Sequence, residues 1–261
     1  MRTVRKWGHG PYTVAVIHGG PGAPGEMAPV ARELSAFTGV IEPFQTEMTL
    51  DGQVQELRQD LEQDAQVPAV LVGFSWGAFL SWLTAARYPH LVRKLILVSS
   101  APFEESYAAA ITRTRLDRMN AAERAETKSL MAQIDDPDVS DKDTILARLS
   151  LLLARADACD PISYVDETFH TRSGIFRGVW DQAGELRKKG VLLQMAHAIR
   201  CPVVAIHGDY DPHPAKGVEE PLSRACPDFR FCLLEKCGHR PWIEREASDA
   251  FYEILIREIK E

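Results

Sequence analysis

The sequence predicts an α/β chain: a mostly parallel, twisted sheet with helices on both faces and a block of helices inserted between two sheet-forming portions. Three observations carry this expectation. Short apolar runs alternate with amphipathic helical patterns over the first hundred residues, the order a parallel sheet requires. From 102 to 190 no buried strand can be read, only charged helical stretches. The alternation then resumes and runs to the last helix. The expected organisation is a sheet core built from 1–101 and 191–261, with 102–190 as a helical insertion.

The first strands are "YTVAVIH" (12–18), "GVIEPF" (39–44), "AVLVGF" (69–74) and "KLILVSS" (94–100). Each is a short apolar run bounded by Gly, Pro or polar residues, as strands buried on both faces are. Between them lie helical patterns at 26–36, at 51–65 with Val54, Leu57 and Leu61 on one face, and at 76–87 with Phe79, Trp82, Leu83 and Ala86 at helical spacing. Within the insertion, "AAERAETKSLMAQI" and "DTILARLSLLLARA" read as helices. The second gathers Ile145, Leu149, Leu152 and Leu153 on one face, and "DDPDVSD" and "CDPIS" are breaks. Afterwards "LLQMAHAI" is helical and "CPVVAIHG" a strand. "PAKGVEEPLSRA" is an irregular helix interrupted by Pro221, and "FRFCLLE" is a strand. The pattern at 242–260 is a closing helix with Phe251, Ile254 and Leu255 on its apolar face.

The chain has 261 residues, enough for one substantial core. A net charge of -7 gives a nucleic-acid partner no electrostatic support. The apolar runs are too short to span a bilayer, so no membrane partner is expected. The N-terminus carries basic residues but no apolar core with a cleavage site. Five cysteines without a tight framework suggest free thiols and a cytoplasmic location, and no spacing among them reads as a zinc site.

The chemistry concentrates at "LVGFSWGAFLSW" (71–82). Ser75 sits between Gly73 and Gly77, where a strand gives way to a helix. A sharp turn there holds the serine in a strained conformation above the sheet, and side chains at either second neighbour would collide with the turn. The backbone N–H of Trp76 opens the next helix and can meet a developing oxyanion. A hydroxyl nucleophile needs a base. His239, in "EKCGHRPWIERE", follows the last strand, at the sheet end where open α/β folds place their chemistry. The acid belongs after the preceding strand, where Asp209 and Asp211 both qualify. Asp211, three residues beyond Gly208, is favoured, with Asp209 as an Asx-turn residue. His213 is expected to be a loop residue that could line the site.

Taken in order, "HGGPG" (18–22), "GFSWGA" (73–78), "HGDYD" (207–211) and "CGHRPWIE" (237–244) resemble the α/β-hydrolase superfamily. The "HGGPG" loop is similar to that of prolyl-iminopeptidase-like members. The resemblance implies a Ser75–His239–Asp211 triad and an oxyanion hole of the Gly20 and Trp76 N–H groups. It also implies a substrate-binding role for Gly19 and Trp76. Gly19, Gly20 and Gly22 would let the backbone approach substrate, His18 would brace the loop, and the Trp76 side chain would line or support the pocket. It further implies that 102–190 is a cap. Such a serine hydrolase, acting on a small-molecule ester or amide, needs no metal or organic cofactor.

The Arg-containing motif of prolyl iminopeptidases is absent from "GVIEPFQTEM". Glu104 and Glu105 are the candidates for holding a substrate amine, or else a solvated helix start. Epoxide hydrolases and haloalkane dehalogenases resemble the scaffold but use an Asp nucleophile, which Ser75 replaces. An aminopeptidase, an acyltransferase with the same triad and a non-catalytic binding member remain alternatives. The sequence carries no reading of oligomeric state.

Overall fold

The computed structural model describes residues 4–20, 23–164, 167–168 and 173–261. Its centre is a seven-stranded sheet in the order β1-β3-β2-β4-β5-β6-β7. The strands are β1 (Val4–Trp7), β2 (Tyr12–Ile17), β3 (Gly39–Pro43), β4 (Ala69–Phe74), β5 (Val92–Val98), β6 (Val203–Gly208) and β7 (Phe229–Leu234). Every neighbouring pair is parallel except β1 with β3. The chain turns one way from β2 to β3 and the other way to β4. The carboxyl ends of β2 and β4 therefore flank a topological switch point, the place where such sheets leave a crevice.

The helices are α1 (Ala28–Leu34), α2 (Leu50–Asp64), α3 (Trp76–Arg87), α4 (Glu105–Ala108), α5 (Ala110–Asp117), α6 (Ala121–Asp135), α7 (Lys142–Asp157), α8 (Ser173–Lys188), α9 (Val191–Gln194), α10 (Lys216–Ala225) and α11 (Ser248–Lys260). Alternate strand residues feed two cores. Val14, Val16, Val70, Val72, Ile96 and Ile206 face α1 and α11. Ala15, Ile17, Leu71, Leu95, Leu97 and Ala205 face α2, α3 and α10. Between β5 and β6 the described elements are the helices α4 to α9, joined by loops, one of which makes an isolated bridge from Pro161 to Glu244.

Four details differ from the sequence reading. The edge strand β1, "VRKW", carries no apolar run or alternation that marks a strand, since two basic residues lie side by side at its centre. It is held by Arg5 Nε and Trp7 Nε1, which both donate to the buried Glu42 carboxylate of β3, at 2.8 and 3.0 Å. Helix α3 is not amphipathic but buried on every side through Ala85, since α2, α8 and the loop after α9 cover what the sheet does not. Helix α10 runs through Pro221 without a break. The Gly217 carbonyl, which a residue with an N–H at 221 would engage, instead accepts the N–H of Phe103 at 3.0 Å. The closing helix begins at Ser248, after a single 3₁₀ turn at Pro241–Ile243.

Candidate active site

Ser75 follows the last residue of β4 and precedes the first of α3, with φ 51° and ψ −111°. An L-residue held in this region costs about 1–3 kcal/mol, so the surroundings must impose it. They do so through the strand ladder, in which Ser75 N–H donates to Val98 at 2.9 Å, and through close backbone approach. A Cβ on Gly73 would lie 2.7 Å from Ala78 N; one on Gly77 would run into the Ile17 carbonyl and sit 2.6 Å from that of His18. Both glycines are thus dictated by backbone atoms that cannot move aside.

His239 lies after β7 and Asp211 after β6. His239 Nδ1 and Asp211 Oδ2 are 2.8 Å apart. Burial alone would raise the Asp211 carboxyl. The imidazoles of His239, His213 and His207, with the His213 hydrogen bond, outweigh that and hold it well below the usual carboxylate range. An ionised carboxylate only accepts, so the His239 hydrogen is on Nδ1 and Nε2 is left with its lone pair. Ser75 and His239 line one cavity, and the Phe74 ring packs 4.8 Å from that of His239. No hydrogen bond joins Ser75 to His239 among the described residues; such bonds often tighten only with substrate present.

Asp209 is exposed and its carboxylate accepts the N–H of Cys237 at 3.1 Å. It ties two loops together across the sheet end and does not form the expected Asx-turn. His213 is buried, and the sequence undervalued it: its backbone N–H and ring Nδ1–H both donate to Asp211 Oδ1, at 2.9 and 2.8 Å. Its position two residues after Asp211, between Pro212 and Pro214, was the available signal.

Gly20, with φ 37°, lines the cavity. Pro21 and Gly22 lie outside the described residues. Gly19 is not in the cavity wall: a Cβ there would meet Glu26 Oε2 and the Phe74 ring at 2.7 Å, so this glycine answers to packing, not to substrate approach. His18 is buried, takes the Gln45 N–H on Nε2 at 3.3 Å and donates from Nδ1 to the Gly19 carbonyl at 2.7 Å. Burial pushes it down to about 4, which keeps this brace neutral. The Trp76 side chain is wholly buried, its Nε1 donating to Gln45 and Gln53 at 3.2 and 3.0 Å, and it is not among the residues that line the cavity. Its backbone N–H is the first in α3 and has no intrahelical acceptor.

The cavity holds about 480 Å³. Its roof is α7, through Ala147, Ser150, Leu151 and Ala154. Among the described residues, two ion pairs stand in its wall: Arg115 with Asp157, bidentate at 2.7 and 2.6 Å, and Arg240 with Glu26 at 2.8 Å. Glu104 and Glu105 are outside it, paired with Arg224 and Arg187 at 2.9 and 2.8 Å. Asp211, His213 and His239 bring metal-ligand atoms within 4.8 Å of one another, but the Nδ1 of each imidazole is engaged on the carboxylate.

A doubly wound sheet that carries a strained serine, a histidine and an aspartate on the loops at its carboxyl end defines a class of hydrolytic enzymes. The family model described as the alpha/beta hydrolase fold matches residues 41–246, and the chain belongs to this family. It is 23% identical over 223 residues, 81% of this chain and 80% of the other, to the pimeloyl-[acyl-carrier protein] methyl ester esterase of Aromatoleum aromaticum. With the protein of that name from Neisseria meningitidis serogroup A it shares 24% identity over 222 residues, 82% of this chain and 63% of that one. The crystal structure of VinJ superposes with a TM-score of 0.68 at 19% identity, covering 98% of this chain and 94% of that one, a likeness of fold. No helix among the described residues is long and apolar enough to cross a membrane.

Proposed function

We propose that this hydrolase cleaves an ester bond of a small molecule through an acyl-enzyme on Ser75. The observation that carries the reading is the His239 imidazole, fixed by Nδ1–H on an ionised Asp211, in the same cavity as Ser75. His239 Nε2 takes the hydroxyl proton as Ser75 attacks the carbonyl, and Asp211 stabilises the imidazolium. The N–H groups of Gly20 and Trp76 hold the oxyanion, each contributing about 2.7–4 kcal/mol. The imidazolium returns its proton to the leaving alcohol, and water, deprotonated by His239, releases the acid.

The charges in the cavity favour an ester over an N-terminal peptide. An aminopeptidase needs a free carboxylate for the substrate amine; among the described residues, Glu26 and Asp157 in the cavity wall are each paired with an arginine, and Glu104 and Glu105 lie elsewhere. The esterase name of its relatives points the same way. The 102–190 insertion acts as a cap, with α7 shaping the acyl or leaving-group pocket. Ser75→Ala is expected to lower p-nitrophenyl ester hydrolysis by about 10⁴-fold or more and to abolish labelling by a fluorophosphonate, with the fold intact. Retained turnover would sink the assignment, and faster cleavage of aminoacyl-naphthylamides than of esters would move it to an aminopeptidase.

A further inference from the structure

The Asp211 carboxylate serves two imidazoles at once. Oδ2 accepts from His239, while Oδ1 accepts both the backbone and the ring N–H of His213. The two rings also lie against each other, with centroids 4.5 Å apart and planes 30° apart. His213 is itself held from behind: its carbonyl accepts the Nε2–H of His207 at 2.8 Å. It is buried and absent from the cavity wall, so it does not touch substrate.

We propose that His213 is a positioning residue for the reaction at Ser75: it locks one oxygen of Asp211 so that the other is presented to His239, and its ring limits the tilt of the His239 imidazole. This rests on the Ser75–His239–Asp211 reading of the site. A carboxylate can turn about its Cβ–Cγ bond, and two donors on one oxygen remove that freedom. A ring held by a single hydrogen bond can still swing about it. The His213 ring at 4.5 Å and the Phe74 ring at 4.8 Å narrow that swing. Burial pushes His213 down to about 4, so its ring stays a neutral donor throughout the working range.

The groups facing Asp211 are the imidazoles of His239, His213 and His207, the Arg115 guanidinium from α5 and, from the loop after β7, the Cys237 thiol, which burial keeps protonated. Removing the His213 donor leaves the Asp211 charge with fewer partners. Its grip on protonated His239 then tightens, and the acid limb of the kcat profile moves to higher pH.

The test compares wild type with His213→Asn, which keeps a donor at the δ position, and His213→Gln, which carries its amide one carbon farther out. The probe is a p-nitrophenyl ester, and kcat, KM, the pH profile and the melting temperature are read for each. The Gln variant is expected to lose about tenfold to a hundredfold in kcat, with KM little changed and the acid limb raised. The Asn variant is expected to stay within about threefold of wild type with an unshifted profile. A Gln variant with wild-type kcat and profile overturns the inference, as does an Asn variant no better than Gln. Should Gln fail to fold, the Asn profile decides: superimposable on wild type supports the inference, shifted overturns it. Wild type that neither turns over the ester nor takes a fluorophosphonate on Ser75 removes the underlying reading and this inference with it; active, labelled wild type with indifferent His213 variants removes this inference alone.

Discussion

At the scale of single residues, the two aspartates after β6 make the sharpest contrast. Asp209 uses one oxygen to accept one N–H, from Cys237, and Asn at that position keeps such an oxygen. Asp211 needs both oxygens, because His213 sends two N–H groups to one and His239 sends its Nδ1–H to the other. An amide has a single acceptor oxygen, and the two donors of His213 outbid the one of His239. The NH₂ then faces His239 and forces its hydrogen onto Nε2, where it cannot take a proton from Ser75. Asp211→Asn is therefore expected to cost about 10⁴-fold in kcat and Asp209→Asn less than about threefold, as steady-state hydrolysis would read out. The reverse order would transfer the acid to Asp209. Trp76 shows the limit of a motif at this scale. The spacing around Ser75 describes a backbone path, and nothing in it says that the indole turns away into the core between Gln45 and Gln53.

At the scale of elements, the buried Glu244 joins the end of α7 to the loop that carries His239. Its carboxylate accepts three backbone N–H groups: Cys159 at 2.9 Å, Asp160 at 2.8 Å and Gly238 at 3.1 Å. Beside it, His239 N–H donates to the Asp157 carbonyl at 2.9 Å and Ile162 N–H to that of Ile243 at 2.8 Å. Glu244→Ala would strand the Gly238 N–H in the interior and take away the partner of the part-buried Cys159 and Asp160 N–H groups. A loss of about 3 kcal/mol or more is expected, read as a fall in melting temperature on the order of 10 °C. A variant melting within a degree or two of wild type would show that water replaces the carboxylate. None of this was legible from sequence, although Glu244 closes the "CGHRPWIE" stretch. The strands from β2 onward were legible because each is a largely apolar run with polar ends. The hydrogen bonds made across 84 or 85 residues follow no period along the chain.

For the molecule as a whole, the buried imidazoles tie stability to acidity. His18 and His213 are both held near 4 against an ordinary value of 6.5, because burial disfavours their charged forms. Between those values the unfolded chain binds protons that the folded chain refuses, so stability falls as pH drops from about 6.5 to about 4. The limiting loss is roughly 3 kcal/mol per imidazole. Asp211 adds to this at the lower end: its depressed carboxyl stabilises the fold above about pH 4, and that contribution disappears as it protonates. Melting temperatures measured from pH 7 to pH 4 should decline steadily over that window, and a flat curve would mean that these groups titrate alike in both states. The fold class and the order of the sheet elements could be read in advance because alternation is a property of the chain. The β1 edge and the cavity's ion pairs could not, since each exists only once two distant segments have met.

The fastenings of the helical block have a consequence for how such chains diversify. At its start Phe103 N–H sits on the carbonyl that Pro221 leaves open; after α7, Cys159 and Asp160 sit on Glu244. Main-chain N–H groups of the block make these joints, and side-chain pairs stand beside them: Glu104 with Arg224, Tyr107 with Glu220 and Asp160 with Arg245. Between Phe103 and Cys159, a foreign segment of different length could be spliced in and still seat, provided that the same three N–H groups and the side-chain pairs beside them are kept. The seam works as a standard fitting, and the sheet retains the parts that receive it.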